Sequence, residues 1–315
     1  LDKKGHFETI ERVSGTSAGA MIALMIALQL STDEIEELMR GLDFNSFKQG
    51  CSPFRLFSKY GLYSGDQILE FIYKCYNKSS LKLDHNTTFS EFQKAGGKEL
   101  IVFASNLNSK NIVELSEHEH PGCIVAEAVR ASMSIPFFFK SWKFTNGIPN
   151  EHIYVDGGVT FNYPLSFFDK PRFNEDPTTI NMETLGLFLE PKEIYDDATS
   201  QNNNSDEKNT NEHKKKPKLK KRHHLKIKEF KYSMAITKYI KHLFDTLMNS
   251  QNIELFEDSN LVLRTIFIDD LNISATQFSL SPNDIDNLVK SGQDGALRYF
   301  EYIEKLKTTN HNTLK

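Results

Sequence analysis

Hydrophobic positions along this chain follow two rhythms that alternate. Short runs rich in β-branched and aromatic residues read as strands at 10–13, 99–104, 112–115, 153–155, 185–189 and 261–268. The run 99–104 is apolar almost throughout, as in a strand covered on both faces, and 112–115 is placed to pair with it. Apolar residues at helical spacing predict helices over 18–30, 68–76, 123–132, 230–256 and 284–303. Ser31 with Glu34 reads as a capping box that opens a further helix, Ser64-Gly65 repeats that grammar before Ile68, and Ser281 with Pro282 starts the last helix. Pro136 ends the helix of 123–132, because a residue before proline avoids helical backbone. Strands alternating with helices predict an α/β domain, a sheet with helices on both faces.

The segment 195–231 breaks this rhythm. It is nearly free of apolar residues, begins Asn-rich and turns basic, with ten Lys and Arg from Lys214 to Lys231 and one Glu between them. A polar block of one sign cannot bury enough area to order itself. The expected organisation is the first part of one domain over 1–194, a disordered insertion over 195–231, the rest of the same domain over 232–307 and a flexible tail over 308–315.

Composition narrows the function. The 315 residues carry 38 Lys and Arg against 42 Asp and Glu, a net charge of −4, so a generally basic nucleic-acid binder is not expected. Three scattered cysteines make neither a disulfide framework nor a zinc pattern, which suits reduced thiols. The longest apolar run, 18–30, is too short to span a bilayer. No metal site and no cofactor are expected.

The candidate chemistry centres on Gly15-Thr16-Ser17-Ala18-Gly19, a G-x-S-x-G pattern set between a strand and a helix. The glycines permit a sharp turn that exposes the serine, and the helix beginning at Ala18 aims backbone N–H groups at the site, suited to a developing oxyanion. The alternative is a glycine-rich turn with a capping serine. A serine hydroxyl needs a base. None of the ten histidines stands in a distinctive frame. Asp156, at a strand end before Gly157 and Gly158, sits where α/β sites place catalytic groups, although the same residues suit a plain tight turn. Ile135, Pro136, Phe137 and Phe138, with Trp142 nearby, offer apolar walls for an acyl chain or ordinary core packing. Met21 and Met25 read as core.

Taken in order, Gly15 to Ala20, Ala131-Ser132-Met133-Ser134-Ile135-Pro136 and Asp156-Gly157-Gly158 resemble the serine motif, the A-S-x-x-x-P block and the D-G-[GA] motif of the patatin-like phospholipases. The resemblance implies an α/β three-layer α/β/α sandwich with a mostly parallel central sheet. It implies a Ser–Asp dyad, with Ser17 as nucleophile, Asp156 as proton acceptor and the Ala18 backbone in the oxyanion site, acting on phospholipids or other acyl-ester lipids without calcium at the catalytic step. The family's G-G-G-x-[RK]-G loop has no counterpart ahead of Ser17: either the sequence starts inside a longer domain, which a start at Leu1 rather than Met favours, or the protein has lost the loop. Two other readings stay open: an esterase with a Ser–Asp–His triad using His242, and a catalytically silent lipid-binding or scaffolding homologue. The expected location is cytoplasmic or peripheral to membranes, with the basic stretch from Lys214 to Lys231 as a membrane contact. The sequence does not distinguish export as an effector, nor the oligomeric state.

Overall fold

The computed structural model describes residues 5, 7–176, 179–190, 258–274 and 277–313, with residues 239, 242–244, 246–247, 251 and 255–256. The expected insertion and its basic stretch lie outside the described residues. The described parts of 230–256 are helical.

The first half builds the central sheet. Strand β1 (Arg12–Thr16) leads through Ser17 into helix α1 (Ala18–Ala27), followed by α2 (Thr32–Arg40), α3 (Pro53–Lys59), strand β2 (Gly61–Tyr63), α4 (Asp66–Lys78) and α5 (Phe89–Lys94). Strands β3 (Glu99–Asn106) and β4 (Asn111–Leu115), helix α6 (Val125–Ser132) and strands β5 (Phe137–Phe139) and β6 (Tyr154–Asp156) complete it. The second half adds β7 (Gly186–Leu189), the short helix α7 (Ser259–Leu263), β8 (Thr265–Ile268) and the long helix α8 (Pro282–Thr313). Parallel pairing joins β1 to β3, β2 to β5 and β7 to β8, whereas β4 and β6 run antiparallel to β3.

Strand β3 is the centre of the packing. Leu100, Val102 and Ala104 face a core shared with α1, α4 and α6, while Ile101 and Phe103 face a second cluster with Phe167 and Phe168. Its unbroken apolar run is the consequence of burial on both faces. Helix α1 buries Ala20, Met21, Ala23, Leu24, Met25 and Ala27 and shows no polar stripe, as a core helix should. The capping box of Ser31 and Glu34 forms on α2, and Ser281 and Asp284 exchange the same kind of bonds at the start of α8.

Several boundaries differ from expectation, each for a tertiary reason. Strand β1 does not stop at Ser14-Gly15 but runs through Thr16, because Gly15 and Thr16 pair with Val102 and Phe103. Helix α1 ends at Ala27, where the Ala27 carbonyl accepts from the Lys98 N–H and Gln29 turns left-handed at φ 60°. Helix α4 is entered through Gly65 at φ 68° and not through a Ser64 cap; a Cβ at 65 would sit 2.3 Å from the Arg130 guanidinium. Helix α6 starts only at Val125, since the Cys123 carbonyl is taken by the Phe89 N–H. The run 261–268 divides into the end of α7 and strand β8, which starts at Thr265 opposite Gly186. Helix α8 continues to Thr313, through part of the segment read as tail, and neither Gly nor Pro interrupts it after Gly295.

Candidate active site

Two strand ends meet at the middle of β3. Strand β4 occupies one edge of β3 along Val102 to Asn106. The opposite edge is shared: β1 pairs with it up to Thr16↔Phe103, and β6 approaches from the other end, finishing at Ala104↔Asp156. The carboxyl ends of β1 and β6 therefore face each other on successive rungs. Ser17, the residue after β1, and Asp156, the last of β6, come together although 139 positions separate them.

The turn at Ser17 is strained. Its φ of 55° is left-handed, uncommon for a residue with a side chain and characteristic of sites where strain serves function. Gly15 makes the turn possible. A Cβ there would lie 2.1 Å from the Gly19 carbonyl oxygen, so β1 and the first turn of α1 could not pack as they do. Gly157 plays the matching part for the aspartate, since a Cβ would meet the Phe103 carbonyl oxygen at 2.3 Å and Thr16 Cγ2 at 2.9 Å. Gly19 is different: open space surrounds its Cβ position.

Ser17 Oγ donates to Asp156 Oδ2 at 2.6 Å. The other carboxylate oxygen, Oδ1, accepts from the Gly158 N–H at 2.8 Å. Asp156 is fully buried, and burial raises its pKa to about 7, against the opposing effect of the two hydrogen bonds. Ala18 and Gly19 are exposed, and as the first residues of α1 their N–H groups have no acceptor within the helix. They point the positive end of the helix at the serine.

Two residues of the Ala131 to Pro136 block, with Arg130 just before it, hold this pair, roles the sequence did not disclose. The Ser17 N–H donates to Ser132 Oγ at 2.9 Å, which pins the strained turn. The Asp156 N–H donates to the Ser134 carbonyl at 2.9 Å. Arg130, fully buried, donates to Ser134 Oγ and to the Ser64 carbonyl, each at 2.8 Å, and lies over the Phe139 and Trp142 rings. Burial lowers its pKa to about 10, which leaves it charged at neutral pH. From β3, Ser105 Oγ donates to the Asp156 carbonyl at 2.9 Å.

The four apolar candidates separate. Ile135 belongs to the core and Phe138 stacks on Phe278 at 5.1 Å, whereas Pro136 is half-buried and Phe137 is exposed. His242 has an exposed side chain. Among the described residues no group of three or more His, Cys, Asp and Glu is placed to hold a metal ion, and no helix is long and apolar enough to cross a membrane.

Known proteins resemble this chain to different depths. The family model of the patatin-like phospholipases matches residues 1–169. The uncharacterized protein R571 of Acanthamoeba polyphaga mimivirus is 34% identical over 163 residues, 51% of this chain and 51% of that protein. The uncharacterized protein YqhO of Bacillus subtilis (strain 168) is 30% identical over 208 residues, 61% of this chain and 65% of that protein. The chain thus spans less than two thirds of the length of either relative. The crystal structure of VipD from Legionella pneumophila shares the fold, with a TM-score of 0.54 at 15% identity over 96% of this chain and 63% of that one. The matched region runs from before β1 to beyond Asp156, and so includes the strand ends that carry Ser17 and Asp156: the chain belongs to the patatin-like phospholipase family.

Proposed function

We propose that the protein is a lipid acyl hydrolase in which Ser17 is the nucleophile and Asp156 its base. The observation that carries this reading is the 2.6 Å hydrogen bond from a strained serine at the start of α1 to a buried carboxylate. Asp156 takes the hydroxyl proton as Ser17 Oγ bonds to the ester carbonyl carbon. The oxyanion so formed is met by the Ala18 N–H. Collapse expels the alcohol, which leaves with the proton from Asp156, and the acyl group stays on Ser17. Water then attacks the acyl-enzyme and gives its proton to Asp156, which returns it to Ser17 Oγ as the acyl–serine bond breaks and the fatty acid leaves. Pro136 and Phe137, the two of the four apolar candidates that neither the core nor Phe278 covers, are the apolar contacts for the acyl chain.

The raised pKa of Asp156 supports this assignment, because a base poised near the working pH combines ionisation with proton affinity. It also sets the test. Since Asp156 acts ionised, kcat/KM should fall as pH drops through about 7, tenfold per unit below the inflection. The same inflection should persist in His242→Ala, measured with a p-nitrophenyl acyl ester. Loss of all turnover in a folded His242→Ala protein would support the histidine triad instead.

The substrate class, a phospholipid or another acyl-ester lipid, places the reaction at a membrane surface. The basic stretch from Lys214 to Lys231 supports attraction to anionic lipid, at about 1 kcal/mol per Lys or Arg near the surface. Deleting residues 202–222 should leave soluble-ester turnover unchanged and weaken binding to phosphatidylserine vesicles, most at low salt. Equal vesicle binding at low salt by both proteins would reduce the segment to a spacer.

A further inference from the structure

Among the described residues, the most exposed phenylalanines stand beside the block that holds Asp156. Phe54 and Phe57 on α3 are 85% and 82% exposed, Tyr60 at the end of α3 is 51% exposed and Phe137 on β5 is 43% exposed. The pairing of β2 with β5 joins them into one region, with the Phe137 N–H donating to the Tyr60 carbonyl at 3.1 Å. Only two residues, Ile135 and Pro136, stand between Phe137 and Ser134, whose carbonyl bonds Asp156, a span of at most about 10 Å of extended chain. An apolar patch of this kind on a folded protein marks an interaction site.

Two further features say what it meets. Tyr60 and Phe137 both have left-handed backbones, at φ 60° and 65°. A helix end of this type ordinarily uses glycine. Here the fold spends backbone energy to hold bulky aromatic side chains out into solvent, which core packing does not explain. The charge around them is mainly positive. Residues 44–65 and 137–149 contain five Lys and Arg and no Asp or Glu, in a chain whose net charge is −4; Asp43 and Asp66 flank the first stretch, and Asp66 pairs with Lys140 at 2.7 Å, which leaves Lys48, Arg55, Lys59 and Lys143 outside that pair. Lys59 and Lys143 are exposed. Arg55 bonds the Gly50 and Leu62 carbonyls, a backbone tie that leaves its charge unneutralised.

We propose that this aromatic and basic face is the surface by which the protein docks on an anionic lipid bilayer, with Phe54 and Phe57 entering the interface and Lys48, Lys59 and Lys143 meeting lipid phosphates. Apolar anchors flanked by cations match a negatively charged leaflet. A second copy of the chain fits poorly, because a two-fold contact brings the patch against itself and sets like charges together. The choice of a lipid surface rests on the hydrolase reading, which would place the Ser17 site over the leaflet that carries its substrate.

The test uses the full chain carrying Ser17→Ala, so that binding is read without turnover, and sedimentation with sucrose-loaded vesicles of phosphatidylcholine and phosphatidylserine. Phe54→Ser with Phe57→Ser should weaken binding by about tenfold or more. Lys48→Glu with Lys59→Glu should weaken it by at least about fivefold for each cation reversed, on anionic vesicles only. Tyr60→Gly relieves the left-handed strain, so it should raise Tm while lowering vesicle binding, which separates docking from misfolding. In the Ser17 background, the Phe54/Phe57 variant should hydrolyse a soluble ester at the unaltered rate and vesicle phospholipid more slowly. Unchanged vesicle binding by the Phe54/Phe57 variant overturns the proposal. So does a dimer in the parent that this variant dissolves, since the occupant is then a second copy. Failure of the hydrolase reading shows separately, as absence of soluble-ester turnover by the Ser17 protein.

Discussion

Ser17→Ala and Asp156→Asn are each expected to reduce ester hydrolysis by about 10⁴-fold or more, and the double variant to be little worse than either. The hydroxyl and the carboxylate share one proton through the 2.6 Å bond, so loss of either disables the same step. Single-turnover release of p-nitrophenol and labelling of Ser17 by a fluorophosphonate measure this. Substantial turnover by Ser17→Ala sinks the assignment. Vesicle binding by the parent without labelling or fatty-acid release would identify a silent lipid-binding homologue.

The same substitution has an opposite effect on stability. Burial raises the folded-state pKa of Asp156 to about 7, above the ordinary aspartate value of 3.8. The folded protein therefore holds a proton that the unfolded chain releases, and the stability this gives is full below about pH 4 and lost as pH rises to about 7. Above that, an ionised carboxylate stays buried at a cost. Asp156→Asn keeps the shape without the charge, so its Tm should exceed that of the parent at pH 8 and match it near pH 4. Equal Tm values at both pH values would contradict the buried, destabilising charge.

The two glycines of the serine motif should behave in opposite ways. Gly15→Ala puts a methyl 2.1 Å from the Gly19 carbonyl oxygen and 2.6 Å from the Ala20 nitrogen. Both are backbone atoms of α1, so the turn itself must move. Overpacking of this kind costs about 1–3 kcal/mol. A shift of about 1 Å at Ser17 costs a further 10²-fold in rate. Gly19→Ala meets nothing within 4 Å and places a better helix former in the first turn. Its Tm should equal or exceed that of the parent, and fluorophosphonate should still label Ser17. Thermal melts of the two variants decide the point: equal destabilisation would mean that the motif's glycines are needed for the same reason.

Much of this protein is legible along the chain because its causes are local. A capping box needs only Ser31 and Glu34, three residues apart, and the buried run of β3 carries its two-sided burial in its own composition. The strand, the glycine turn and the helix around Ser17 are likewise neighbours in sequence, and the three motifs in order were enough to suggest the family. What escaped the sequence depends on contacts between distant segments. The length of β1 follows from rungs to β3, and the division of 261–268 into helix and strand follows from Gly186. The run Ile135 to Phe138 reads uniformly as apolar, yet its members diverge because Phe278, more than 130 residues away, covers Phe138 and leaves Phe137 bare.

By itself, then, the sequence determined the kinds of element and the residue types of the candidate pair, Ser17 and Asp156, since helix periodicity, strand composition and turn glycines act within a few residues. Only the tertiary structure decided that β1 and β6 end on successive rungs of β3, that Ser132 holds the Ser17 N–H across 115 positions and that burial lifts the Asp156 carboxyl to about 7. Strand pairing, long-range hydrogen bonds and desolvation depend on which segments the fold brings together, and a one-dimensional pattern carries no record of that proximity.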